Sequence, residues 1–401
     1  AHLTSDFADI MIGGSFREYE LNSNGTIFTD VDGPITYNEY GAYLQVQKKF
    51  LDDRLKFVGS VRYDKNEFFD GFFSPRASIL ATLGENRNHN IRFSVQQGFR
   101  NPTTQDLFIG LNAGRAILVG SAPDNLDRDL RTFDLSESGQ TLTGSPTSTI
   151  VGRSAYDNAF SLSSVNAGNP QAPFNPDANS EFDTPLVQPE EITAFVVGYR
   201  AQLGRVAIDV SGYYNQYNNF ISQTTVLVPF YGEVGDNSLS LLALQNGDFF
   251  PYQPYTNALA EIESYGATIG VDAKIFGNFD IGVNYTYADL NFDQEAFPDF
   301  RTNFNTPNHK VKASFGNTEL FKNFGFNINY RWSDTYFWQA TFADGQIPSY
   351  TVLDAQVNYA IPNLKSIVKL GGSNILGQEY FSAIGTGAVG SIFYVSWTVN
   401  P

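Results

Sequence analysis

From Thr351 the side chains Thr351, Leu353, Ala355, Val357 and Tyr359 alternate with Val352, Asp354, Gln356 and Asn358. A period of two makes a strand with one apolar and one polar face. After a break at Ile361, Pro362 and Asn363, a second strand from Ser366 to Ile375 completes a hairpin. The same alternation recurs throughout. Ala42, Leu44 and Val46, then Phe57, Val61 and Tyr63, then Ile91, Phe93 and Val95 form apolar faces, and Phe279, Ile281, Val283, Tyr285 and Tyr287 continue the series. Opposite them stand Lys56, Ser60, Arg62, Arg92, Asp209, Asp272, Lys274, Asn329 and Arg331.

This reading gives an all-β chain of about 14 strands, near 7–19, 35–50, 55–66, 72–83, 90–99, 189–202, 205–217, 262–276, 279–291, 307–317, 324–336, 348–360, 366–375 and 390–399. Every second connection is short: Leu51 to Arg54, Gly84 to Asn90, Leu203 and Gly204, Gly277 and Asn278, Glu319 to Asn323, and Ile361 to Lys365. The others are long, and residues 100–188 form one long extracellular loop within a single barrel domain spanning 1–401. One end of the sheet is trimmed and the other elaborated, as in a transmembrane antiparallel β-barrel of an outer membrane. A soluble sandwich is the alternative, but it gives no reason for sorted loops or for so polar an inner face. Strand-end aromatics such as Tyr285, Tyr287, Tyr330, Trp332 and Trp397 suit interfacial girdles.

Composition agrees. Aromatics make up 15% of residues and charged residues only 17%, and there are 35 glycines and no cysteine, so strands and turns are favoured and thiolate metal sites are excluded. A net charge of −17 argues against nucleic acid as a partner, since that needs a basic footprint. No apolar run reaches the roughly 20 residues of a spanning helix, which leaves a barrel open. No signal peptide precedes Ala1, so the sequence reads as a mature chain or a fragment.

Six segments together resemble the C-terminal part of the barrel of TonB-dependent outer-membrane receptors: FFSPRASI (72–79), QQGFRNPTTQDLF (96–108), QPEEITAFVVGY (188–199), IESYGATIGVDA (262–273), NTPNHKVKASF (305–315) and the hairpin through SNILGQEY. The resemblance implies a 22-stranded barrel in the bacterial outer membrane, filled by an N-terminal plug and driven by the TonB complex to take up a scarce, large nutrient. The chain departs from that pattern. It has neither plug nor TonB box, is about eight strands short, carries Thr268 where an acidic residue is frequent, and ends without the usual aromatic. It reads as the C-terminal portion of a longer receptor, with a self-contained 14-stranded passive channel, or an adhesive barrel, as alternatives.

His2, His89 and His309 are the three histidines, and no nucleophile or phosphate-loop motif accompanies them; no enzyme, cofactor or metal site is expected. Asp124, Asp127 and Asp129 could be drawn as a calcium cluster, but a solvated loop is the expectation. Contacts to the nutrient are assigned to loop and rim aromatics. These are Phe108, Tyr156 and Phe160; Tyr231, Phe249, Phe250, Tyr252 and Tyr255; and Trp332, Tyr336 and Trp338. Arg62, Arg92, Asp272, Lys274, Arg331 and Asp354 face the lumen, where the resemblance implies contact with a plug. The remaining partners are outer-membrane lipid, the unidentified nutrient, and a surface lipoprotein or other outer-membrane protein.

Overall fold

The computed structural model describes residues 1–5, 7–170, 187–235, 238–258, 261–340 and 343–399. Fifteen strands pair in strict chain order into one antiparallel sheet. They are β1 (His2–Thr4), β2 (Asp9–Leu21), β3 (Ile35–Phe50), β4 (Leu55–Asn66), β5 (Phe72–Leu83), β6 (His89–Arg100), β7 (Glu190–Leu203) and β8 (Val206–Asn218). The sheet continues with β9 (Ile262–Ile275), β10 (Phe279–Asn291), β11 (His309–Phe321), β12 (Phe324–Ser333), β13 (Tyr350–Ile361), β14 (Ser366–Ser373) and β15 (Ile392–Val399). All 14 strands expected from periodicity are present, and the three-residue β1 is added. No helix is long and apolar enough to cross a membrane among the described residues.

Register shows the two faces directly. One row of cross-strand partners runs Ile91, Tyr199, Val210, Ile269, Tyr285, Val311, Trp332, Thr351. The adjacent row runs Asn90, Arg200, Asp209, Gly270, Asn284, Lys312, Arg331, Val352. Because successive side chains point to opposite sides, one sheet face is a band of apolar groups and the other is polar. The apolar band is exposed, with Ile269 at 45% and Phe93 at 50%, as a lipid-facing surface requires. The polar face is the one the loops fold over: at its loop end Leu21, Tyr37, Asp64, Glu190, Ala194 and Ile262 are buried.

The trimmed end turns through left-handed backbone, in part at Gly, Asn and Asp, which tolerate it best. Leu51, Asp52 and Asp53 have φ of 53°, 53° and 64°; Gly204 (59°) and Asn323 (68°) occupy two-residue turns, where a positive φ matches the twist of the flanking strands. The stretch at Glu319 to Asn323, expected as a turn, instead extends β11 to Phe321 through a register shift after Asn317. Pro75 lies inside β5, at the point where pairing to β6 stops: that ladder begins at Arg76. Its missing N–H therefore breaks no bond to β6.

Among the described residues the sheet does not close on itself. Only Asp9 to Met11 of β2 pair with β1, and the far edge of β15 pairs with no strand among the described residues.

Glycines opposite large rings tighten the sheet. Tyr43 lies against Gly13, Tyr213 against Gly266 and Tyr394 against Gly371, each pair directly opposite in register. A Cβ on Gly266 would fall 2.5 Å from the Tyr287 carbonyl and 2.7 Å from the Tyr213 ring, whereas one on Gly270 meets nothing closer than 3.4 Å. We expect Gly266→Val to cost about 1–3 kcal/mol from overpacking and Gly270→Ala to be near neutral. The temperature at which the folded band disappears in heat-modified gel electrophoresis should separate the two, and equal temperatures would refute the packing role.

Candidate ligand-binding mouth

The long connections fold into a cap over the polar side of the sheet. In the connection from β6 to β7 the sequence Thr103-Thr104-Gln105-Asp106 starts helix α1 (Thr104–Phe108) with a reciprocal capping box. The Thr103 N–H donates to Asp106 Oδ2 at 2.8 Å, and the Asp106 N–H donates to Thr103 Oγ1 at 3.2 Å. This turn drives Leu107 and Phe108 down onto Leu21, Ile35 and Tyr37 at the mouth of the lumen. A second sheet knits the loops together: residues 160–161, 226–229, 249–257, 221–224 and 300–301 pair in that order, and Ile117–Val119 joins in parallel at Tyr252 to Pro254.

The largest buried apolar cluster of the described residues lies in this cap, around Ile117, Leu126, Tyr156, Val226 and Tyr252. Carboxylates fasten its parts. Asp299 accepts from the Ser161 hydroxyl at 2.8 Å and the Ser163 N–H at 2.9 Å; Asp248 accepts from the Ser136 N–H at 2.7 Å; Arg301 Nη1 donates to Asp344 Oδ2 at 3.0 Å. Beneath the cap Arg100 reaches Glu190 at 3.0 Å and Asp106 at 3.8 Å. Burial raises the Asp106 carboxyl above the usual carboxylate range, opposed by the Thr103 N–H and by Arg100.

The expected binding aromatics divide into three groups. Phe108, Tyr156, Phe160, Tyr252 and Tyr255 are at most 7% exposed, so packing consumes their surface. The Tyr156 hydroxyl donates to the Tyr255 carbonyl at 2.7 Å, and the Tyr255 hydroxyl accepts from Gln105 at 2.8 Å, with burial pushing its pKa up to about 12. Trp332 belongs to the apolar row of β12 and points to the lipid side, as a girdle residue. Tyr231, Phe249, Phe250, Tyr336 and Trp338 are half-buried and keep surface at the cap. Tyr336 and Trp338 sit on a small hairpin, rings 6.4 Å apart, and the buried Trp338 Nε1 has no hydrogen-bond partner.

All six expected lumen residues occupy the polar face. Arg62 Nε donates to Asp64 at 2.6 Å, Lys274 pairs with Asp280 at 2.8 Å and Arg331 with Asp354 at 3.0 Å. Asp272, Asn284, Lys312, Arg331 and Asp354 line a recess of about 460 Å³ in this wall. His89 and His309 stand on the apolar face, each with Nδ1 against a tyrosine hydroxyl, Tyr199 at 2.8 Å and Tyr285 at 2.7 Å. The imagined calcium cluster does not converge: Asp127 pairs with Arg153 and Asp129 with Arg131, both at 2.9 Å. Sequence reading missed the fastening carboxylates Asp30, Asp106, Asp248 and Asp299. Only Asp106 carried a local signal, its capping box with Thr103.

A family model described as TonB dependent receptor-like, beta-barrel, matches residues 3–375. The chain belongs to this family. TonB-dependent receptors are outer-membrane β-barrels of Gram-negative bacteria, and they are transporters rather than enzymes. Solved structures agree in fold. The siderophore receptor PirA from Acinetobacter baumannii matches with a TM-score of 0.60 at 12% identity, over 99% of this chain and 52% of that one. A mutant of the ferric enterobactin receptor PfeA from Pseudomonas aeruginosa gives 0.61 at 12%, over 97% and 50%. The copper transporter OprC gives 0.59 at 13%, over 99% and 54%. The chain thus spans about half the length of these structures, and at such identities the likeness speaks to fold alone. No curated protein sequence matches.

Asp30 yields a pH test of the mouth of this receptor barrel. Burial opposes its ionisation, but the Ser23 hydroxyl and the Gly25 and Ser23 N–H groups donate to it and hold it at about 2. The turn it fixes presents Thr29 to Asn125 of the cap at 2.7 Å. Because the folded value lies below the usual 3.8, the stabilisation is complete above that pH and is lost as pH falls through about 2. Hydrogen exchange at Ser23 and Gly25 should accelerate over that window, and Asp30→Asn should exchange fast already at neutral pH and lose the pH dependence. Slow exchange in the variant would show that the carboxylate does not hold the turn.

Proposed function

We propose that this chain forms the wall and outer loops of a transporter that takes up a scarce, large nutrient across the outer membrane under TonB control. The observation that carries the reading is the pairing of a polar-lined sheet with a prefastened cap that leaves half-buried aromatics at its surface. In this reading residues 1–401 are one barrel domain, and 100–188 is its main extracellular loop, of which 171–186 lie outside the described residues. The free edges of β2 and β15 pair with further strands, because an unpaired backbone group in hydrocarbon costs several kcal/mol. A plug fills the lumen, and TonB with its inner-membrane partners acts on that plug. A surface lipoprotein or other outer-membrane protein docks on the loops. A passive pore of these 14 strands alone would require β2 and β15 to pair with each other, and among the described residues they do not.

For the ligand, the names of the neighbours point to iron siderophores and copper, which makes a metal chelate the first class to test, ahead of vitamins, glycans and peptides. Uptake of labelled ferric chelates by cells carrying the protein should stop when the proton gradient is dissipated, while surface binding persists. Trp338→Ala and Tyr336→Ala should each weaken binding roughly tenfold or more without loss of the folded barrel. Undiminished uptake in these variants and in Tyr231→Ala, Phe249→Ala and Phe250→Ala would overturn the site assignment. Steady single-channel conductance of the purified protein would favour the passive pore.

A further inference from the structure

The chain has a net charge of −17, yet its lumen wall carries the opposite excess. By register Lys56, Arg76, Arg92, Arg200, Lys310 and Lys312 all point from the polar face. None of them has an ion pair or a side-chain hydrogen bond among the described residues, whereas the neighbouring inward cations Arg62, Arg100, Lys274 and Arg331 each have a carboxylate partner. Acids without an ion pair on the same wall are few: Asp209 lies opposite Arg200 in register without pairing, Asp272 is likewise without a cation, and Asp9 accepts only from Gln47. The acidity of the chain therefore resides elsewhere, largely in the loops.

Unpaired cations on a concave wall create a field that attracts anions. Their spacing sets the size of what they attract. Arg92 on β6 and Lys312 on β11 are five strands apart, which at strand spacing is roughly 24 Å, well over the Debye length of about 8 Å at physiological salt. A single small anion cannot serve both. An extended body bearing several carboxylates can, since each short charge-assisted contact is local.

We propose that the lumen wall is a docking face for an acidic protein surface, and that Lys56, Arg76, Arg92, Arg200, Lys310 and Lys312 recognise it. The inference rests on the transporter reading, in which a plug occupies the lumen, and it adds the chemistry of the face that plug turns to this wall: rich in Asp and Glu opposite β4 to β7 and β11. Docking of this kind is held by charge, so salt weakens it while the sheet remains intact.

A carbodiimide tests this on the protein as its native membrane carries it, because the reagent joins a lysine amine to a carboxylate only when the two touch. The Lys274 to Asp280 pair, 2.8 Å apart, reports that the reagent has reached the lumen. Peptide mass spectrometry should find Lys310, Lys312 and Lys56 joined to Asp or Glu of a segment outside this wall, with yields falling as salt rises. Lys312→Arg should lose its own product and keep that of Lys310. The proposal is overturned if the Lys274–Asp280 product forms while the other three lysines give none, or give products only with Asp9, Asp209 and Asp272. Conductance separates the two levels: a silent lumen without these products removes the acidic docking face alone, and a steadily open one removes the transporter reading with it.

Discussion

In hydrocarbon a backbone N–H or C=O has no water to bond, so every one must find a partner in the protein. The architecture follows from that requirement. An antiparallel meander satisfies it with each strand bonded to its sequence neighbours, and the ladders between β2 and β10 run residue for residue without a shift. Fixed register in turn fixes facing, because a slip of one residue would send Asp209, Asp272 and Lys312 into lipid and Ile269 and Val283 into the lumen. The same requirement makes the bare edges of β2 and β15 an unstable end state within a membrane, and it is the physical reason for assigning further strands to the barrel.

A sheet solvated by lipid on one side and facing a lumen on the other has no hydrophobic core of its own. The core of this chain lies instead in the loops, where Tyr156, Phe160 and Tyr252 are almost wholly buried. A loop that must hold a binding surface above the membrane has to be stabilised as a small domain, with its own sheet, helix caps and apolar centre. Its rigidity has a functional corollary. The aromatics that give the cap a fixed shape keep almost no surface for a ligand, and under the proposed function recognition is assigned to the half-buried rim of Tyr231, Phe249, Phe250, Tyr336 and Trp338.

Barrel strands were legible because a period of two leaves a mark on every residue. The strand at Thr351 to Tyr359 shows it fully, with its expected lipid and lumen sides both recovered in the register of β13. Trp332 was legible as well: its parity with Ile328 and Tyr330 puts it on the lipid side, and grouping it with the loop aromatics ignored that parity. The cap left no such mark. Its helices run four to eight residues, its strands are short, and the joining of Ile117–Val119 to Tyr252–Pro254 crosses about 130 residues of sequence. A buried and a ligand-facing aromatic look alike in sequence, since both exploit the same large, stiff ring. The carboxylates that fasten the cap bond to partners chosen by tertiary position, as Asp299 does to Ser161 and Ser163, so only a local cap such as that of Asp106 can be read in advance.

Net charge was the feature most easily misread, because a sum over the chain hides its division into surfaces. A value of −17 argues against a basic footprint for nucleic acid, but it says nothing about a wall where Arg76, Arg92 and Arg200 face inward from consecutive strands of the sheet. Parity, which separates lipid from lumen, also separates the charges of a barrel into those that meet the membrane interface and those that meet whatever fills it. Applied strand by strand, it turns one acidic total into an acidic crown above a basic wall. The two surfaces are then free to select different partners, the crown by the geometry of its fastened loops and the wall by charge.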